Sequence, residues 1–207
     1  MTAPAGPVPL GGFPAAAVVI GASTGGPPVV EQILRKLPRD FPAPVAICQH
    51  MSPGFVEQWA ERLDPLCWLR VKEADHGEPF ESGTVYLAPQ GRHLRFWRDA
   101  TGPRIRLDAD SSGSIHVPCI DIAFMSAAEV FASRAVGVLL TGLGSDGALG
   151  LQALRRAGAY TIAEDPASAV APSMPSAAIE AGAVLEVVSA ADLPRVLPLR
   201  ANGDYNG

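Results

Sequence analysis

Short apolar runs of strand length alternate with stretches of helical period along most of the chain, and this pattern leaves few folds open. Residues 16–20 are wholly apolar, and 27–37 follow at helical spacing with prolines in the first turn. The same pairing recurs at 45–49 and 54–63, and at 135–140 with a helix that runs to 157. Residues 160–163, 175–181, 184–188 and 191–196 continue the alternation as strand, helix, strand and helix. Residues 69–72 and 84–88 read as short strands, and 120–131 as a helix. Turn residues 99–103 between 93–97 and 104–107 predict an antiparallel hairpin. Apolar runs without polar alternation belong to strands buried on both faces, which parallel strands with right-handed helical crossovers provide. The expected fold is α/β: a doubly wound, mostly parallel sheet with helices on both faces and an added antiparallel β-hairpin.

Composition bounds what such a fold can do. The 207 residues fit one domain with a core that needs no disulfide or metal staple. Residues 1–13 read as a flexible Pro/Gly/Ala arm, 14–200 as the domain and 201–207 as a flexible tail. Sixteen Lys and Arg against 21 Asp and Glu give a charge of −5, which argues against nucleic acid as a partner. The apolar run at 15–20 is far short of a membrane span, and residues 1–12 hold no basic residue of a secretory signal, so neither membrane insertion nor export is expected. Cys48, Cys67 and Cys119 are widely spaced with no C-x-x-C, so neither a disulfide framework nor a metal site is expected. A reducing cytoplasm suits such a chain.

Open α/β sheets bind ligands outside the carboxyl ends of their strands. Three such ends carry polar loops. The first expected strand leads into Gly21-Ala22-Ser23-Thr24-Gly25-Gly26, the second into Gln49-His50-Met51, and the run to Leu140 into Thr141-Gly142-Leu143-Gly144-Ser145-Asp146-Gly147. The first loop matches G-x-S-x-G between strand and helix. That geometry exposes a serine nucleophile, and it equally makes a phosphate-binding turn. Two features weigh against a dinucleotide site: Ser23 stands where G-x-G-x-x-G needs glycine, and Gln49-His50 stand where an acidic residue would hold the ribose. A histidine beside the serine supplies a general base, since imidazole exchanges protons near neutral pH. Alone, His50 would read as a core histidine satisfied by backbone groups. Asp146 is then the candidate to accept Nδ1–H of His50, with Asp75, Asp121 and Asp165 as rivals; Asp121 falls at a helix start, where an aspartate often only caps.

Together these loops resemble the catalytic domain of the protein-glutamate methylesterase family of bacterial chemotaxis. The resemblance also rests on Pro53-Gly54-Phe55, Tyr86-Leu87-Ala88-Pro89, His93-Leu94, Pro118, Asp121, Met174-Pro175, Ala177-Ala178-Ile179 and Gly182-Ala183-Val184, and it spans about residues 16–197. It implies a catalytic domain over 14–200 with Ser23 as nucleophile, His50 as base and Asp146 as its orienting partner. Thr24, Gly25 and Leu143 would support the oxyanion, and Met51, Phe55 and Met174 would line a substrate groove. No cofactor is implied. The implied substrates are methyl-esterified glutamates on the cytoplasmic helices of chemoreceptors, and some members also deamidate receptor glutamines. Relatives usually carry an amino-terminal receiver domain, for which about 15 residues before the first strand leave no room; a separate regulatory protein, constitutive activity or a truncated chain would each account for this. Leu143 stands where many relatives have Met, and Ser176 where Arg is frequent. Two other readings remain: an α/β module that binds nucleotide or phosphate, and a non-catalytic relative that docks on receptors.

Overall fold

The computed structural model describes residues 14–52, 54–111 and 113–205; the expected amino-terminal arm, 1–13, and residues 206–207 lie outside the described residues. In chain order the elements are β1 (Ala17–Ala22), α1 (Gly26–Leu34), β2 (Val45–Gln49), α2 (Phe55–Leu63), β3 (Arg70–Glu73), β4 (Thr84–Leu87), β5 (Arg92–Asp99), β6 (Gly102–Ala109), α3 (Ile120–Phe131), β7 (Ala135–Leu139), α4 (Ala148–Arg156), β8 (Tyr160–Glu164), α5 (Ser173–Glu180), β9 (Glu186–Val188) and α6 (Leu193–Ala201). Seven strands form one parallel sheet in the order β3-β4-β2-β1-β7-β8-β9, and β5 and β6 pair antiparallel as a separate ribbon. This is the doubly wound sheet with a hairpin that the apolar pattern predicts. Among the described residues no helix is long and apolar enough to cross a membrane.

The central strands are buried on both faces because their side chains alternate between two apolar cores. Along β1, Val18, Ile20 and Ala22 enter one core and Ala17 and Val19 the other. The first core is closed by α1, α2 and α6 through residues such as Ile33, Leu63 and Leu197. The second is closed by α3, α4 and α5 through Phe124, Leu151 and Ala178. The hairpin joins the second core with Leu94, Phe96, Ile105 and Leu107. Phe96 packs on Phe80 and Phe131 with ring centroids 4.9 and 5.2 Å apart, geometries that aromatic quadrupoles favour.

The carboxyl terminus differs from its expected boundary. A flexible tail was expected from residue 201, yet Ala201 is fully buried and packing continues to Tyr205. The cause is a buried ionic cluster. Arg200 forks onto Glu186 with two 2.8 Å bonds, Tyr160 donates its hydroxyl to the same carboxylate at 2.9 Å, and Tyr205 stacks on Tyr160 at 4.5 Å. The α6 helix therefore runs longer than its apolar pattern suggests.

Because β1 is flanked by β2 on one side and β7 on the other, the chain reverses its direction of winding at β1. The crevice beyond the carboxyl ends of β1, β2 and β7 is where side chains converge without being covered by a crossover. On the side of β7, α3 and α4 meet at Gly150, and a Cβ there would stand 2.7 Å from both the Asp121 carbonyl oxygen and the Phe124 Cβ. Neither atom can swing away. Gly150→Ala is therefore expected to destabilise the protein by about 1–2 kcal/mol, overpacking outweighing the better helix propensity of alanine; urea unfolding midpoints of the two proteins check this.

Candidate active site

Backbone hydrogen bonds stitch the three polar loops together. The Ser23 amide donates to the Thr141 carbonyl at 3.0 Å, and the His50 amide donates to the Ala22 carbonyl at 3.0 Å. Buried Gln49 fixes the join, its Nε2 donating to the carbonyls of Ser23 at 2.8 Å and His50 at 2.9 Å. Gly25, at φ 82°, turns the chain directly into α1, a left-handed conformation that a side chain resists. From the β7 side Thr141 supports the same turn: its hydroxyl donates to the Thr24 carbonyl at 2.9 Å and accepts the Ala171 amide at 2.8 Å. Its own amide donates to the buried Glu164 carboxylate at 2.8 Å. Burial raises the Glu164 carboxyl above its ordinary range, against the pull of that amide.

Asp146 lies opposite. One carboxylate oxygen accepts His50 Nε2 at 2.9 Å and the Ile120 amide at 2.8 Å; the other accepts the Asp121 amide at 2.9 Å and the Cys119 thiol at 3.2 Å. The carboxylate thus sits on the amino terminus of α3, where free amides and the helix dipole favour an anion. Burial alone would raise its pKa, but the bonds from His50 and the two amides outweigh burial and hold it at about 2. Burial and the nearby Asp146 charge drive the Cys119 thiol the other way, to about 12, so it stays protonated as a donor. Asp121 repeats the device on the next helix, accepting the Gly150 amide of α4 at 2.6 Å.

His50 and Asp146 thus meet as the sequence suggests, but with the ring turned. Nε2, and not the expected Nδ1, faces the carboxylate, because the loop after β2 presents the far edge of the imidazole to α3. His50 Nδ1 is buried without a hydrogen-bond partner among the described residues. Ser23 is half-buried beside Gly142, where an added Cβ would lie 2.7 Å from the Ser23 Cβ. Thr24 and Leu143 are exposed. Half-buried Met51 and exposed Phe55 line a cavity of about 380 Å³ with Pro27, Gln58, Trp59 and Arg62. Met174 departs from expectation. It is fully buried and packs under Gly142, so it props the 141–143 turn and presents no groove surface.

The rival residues are engaged elsewhere. Asp75 pairs with Lys72 at 2.7 Å, Asp165 accepts the Ala167 amide of its own turn at 2.9 Å, and His93 lies 3.3 Å from Asp110. Reasoning from the sequence missed Gln49 as the stitch and the amides of Ile120 and Asp121 as partners of Asp146. It also gave His116 no place, yet the His116 ring stacks on His50 with centroids 4.1 Å apart and planes at 20°. A polar residue inside an otherwise apolar strand was the available signal for Gln49; none marked His116.

The family model described as CheB methylesterase matches residues 18–197. The chain belongs to that family. It is 46% identical over 185 residues to a Bordetella avium protein named protein-glutamate methylesterase/protein-glutamine glutaminase 2, covering 89% of this chain and 52% of that one. A Bordetella bronchiseptica protein named protein-glutamate methylesterase/protein-glutamine glutaminase is 48% identical over 177 residues, 85% of this chain and 50% of that one. The chain thus spans about half the length of the curated relatives it matches. The crystal structure of the CheB methylesterase catalytic domain of Thermotoga maritima matches with a TM-score of 0.86 and 38% identity, over 89% of this chain and 97% of that one.

Asp146 also ties the site to the stability of the fold. Its pKa is lowered from 3.8 to about 2, a gap worth about 2 kcal/mol. Because the folded value is the depressed one, this stabilisation is complete above the unfolded pKa and fades as pH falls from about 4 toward 2. Asp146→Asn is expected to lower unfolding free energy at pH 7 by about 2 kcal/mol and to flatten the stability profile in that acid window, as measured by urea unfolding across pH.

Proposed function

We propose that this chain carries a serine hydrolase centre that removes methyl groups from glutamate γ-methyl esters, with Ser23 as nucleophile, His50 as general base and Asp146 as the group that orients and charges the base. One observation carries the reading: His50 is held by a buried carboxylate at Nε2 while Nδ1 is left unpaired, in a loop bonded to the strand end that bears Ser23. A proton on Nε2 satisfies Asp146 and leaves the Nδ1 lone pair as the acceptor for the serine proton. The order Ser, His, Asp along the chain is no obstacle, because such constellations are defined by roles and geometry.

In this mechanism Ser23 Oγ attacks the ester carbonyl as Nδ1 takes its proton. Backbone amides of the Thr24–Gly25 turn and of Leu143 face the charge that develops on the carbonyl oxygen. The imidazolium, stabilised by Asp146, then protonates the departing methoxide and methanol leaves. Water, deprotonated by His50, attacks the acyl-enzyme and restores the serine, releasing glutamate. A glutamine side chain would pass through the same acyl-enzyme with ammonia as the leaving group, which accounts for the paired activity in the relatives' name. Exposed Phe55 and half-buried Met51 offer an apolar wall beside the crevice for the aliphatic part of a substrate side chain or the helix that bears it. Family resemblance points to the cytoplasmic helices of chemoreceptors as that partner.

Ser23→Ala is expected to reduce methanol release from a methyl-esterified chemoreceptor fragment by about 10⁴-fold or more, and His50→Ala by a similar factor, because such residues act as a unit. A fluorophosphonate probe should label the wild-type protein at Ser23. Turnover of Ser23→Ala at the wild-type rate would refute the assignment. Saturable binding of a nucleotide by a wild-type protein without esterase activity would favour a binding module.

A further inference from the structure

We propose that His116 is a positioning residue for His50: its ring, stacked on the base, fixes the imidazole plane. This rests on the reading of His50 as the general base. The stack is close and near parallel, 4.1 Å between centroids at 20°. Asp146 fixes one edge of the His50 ring at Nε2, and a single hydrogen bond still lets a ring rotate about its axis. A flat partner against the face removes that freedom, so the free Nδ1 keeps one direction.

The segment that carries His116 is pinned, as a positioning device requires. The Gly91 amide, at the start of the hairpin, donates to the Val117 carbonyl at 3.1 Å. The Cys119 amide donates to His93 Nδ1 at 3.2 Å, and the Ser114 amide donates to Asp110 at 3.0 Å. His93 Nε2 in turn lies 3.3 Å from the same Asp110 carboxylate. The hairpin thereby acquires a task beyond packing, since β5 anchors the strap that holds a ring against the base. His116 also lines a cavity of about 390 Å³ with Ile115, Cys119, Asp121 and Asp146, so one side of its ring remains open to solvent and to protons.

The charges around the stack are few. Asp146 reaches it from the loop before α4, and Asp121 and Cys119 from the start of α3. Cys48, buried on β2 within the field of Asp146, has its thiol raised well above its ordinary range, chiefly by burial. Desolvation, then His50, lower the His116 pKa, against the attraction of Asp146. Two stacked imidazoles resist being cationic together. His116 is therefore the ring that stays neutral, and it offers the base a flat, uncharged face.

Two variants separate this from a plain packing role: His116→Ala removes the stack, and His116→Phe keeps a flat ring without a proton. For methanol release from a methyl-esterified chemoreceptor fragment, kcat is expected to fall about tenfold in His116→Ala, with KM little changed, and to recover within about threefold of wild type in His116→Phe. Removal of the stacked ring in His116→Ala should move the His50 ring resonances in NMR spectra at fixed pH, a readout that needs no turnover. Wild-type kcat in His116→Ala would overturn the proposal, as would equal losses of kcat in both variants. An NMR shift in a protein that shows no esterase activity would uphold the stack and reject the hydrolase reading.

Discussion

Everything at the site hangs on where the Asp146 carboxylate sits. It takes four donors from two parts of the chain, the ring of His50 from one, and the thiol of Cys119 with the first amides of α3 from the other. An isolated carboxylate so buried would neutralise itself by taking up a proton. Here the helix terminus replaces the lost water, and the group stays ionised down to about pH 2. A permanent negative charge beside Nε2 is what the proposed base needs if it is to become cationic within the reaction.

The same constraint shapes the packing of α3 against α4. Asp146 precedes α4 yet bonds the amino terminus of α3, while Asp121 in the first turn of α3 bonds the Gly150 amide of α4. Each helix lends a carboxylate to the other's end. The exchange works only at short range, which explains why position 150 has no room for a Cβ. The proposed chemistry and the stability of the fold share these bonds, so substitutions that loosen the helix pair will also disturb His50.

Much of this was legible in advance. Apolar runs at 16–20, 45–49 and 135–140 mark strands buried on both faces, because only continuous apolarity satisfies two cores at once. The polar residues that interrupt the pattern, Ser23, His50 and Asp146, fall at three neighbouring strand ends, since parallel topology gathers its strand-to-helix turns on one side. Met174 was misjudged because an apolar residue near a loop gives no sign of which way it faces. The carboxyl-terminal boundary was misjudged because the pairing of Arg200 with Glu186 and Tyr160 joins residues far apart along the chain.

The sequence by itself determined the sheet and its two cores and singled out Ser23, His50 and Asp146 as the proposed reactive groups, since these follow from local periodicity and the chemistry of side chains. Only the tertiary structure decided which nitrogen of His50 meets Asp146, that the carboxylate belongs to the end of α3, and that His116 lies flat on His50. Those relations depend on the angle and spacing between elements, set by the packing of whole helices and a hairpin against the sheet, and no stretch of residues contains them.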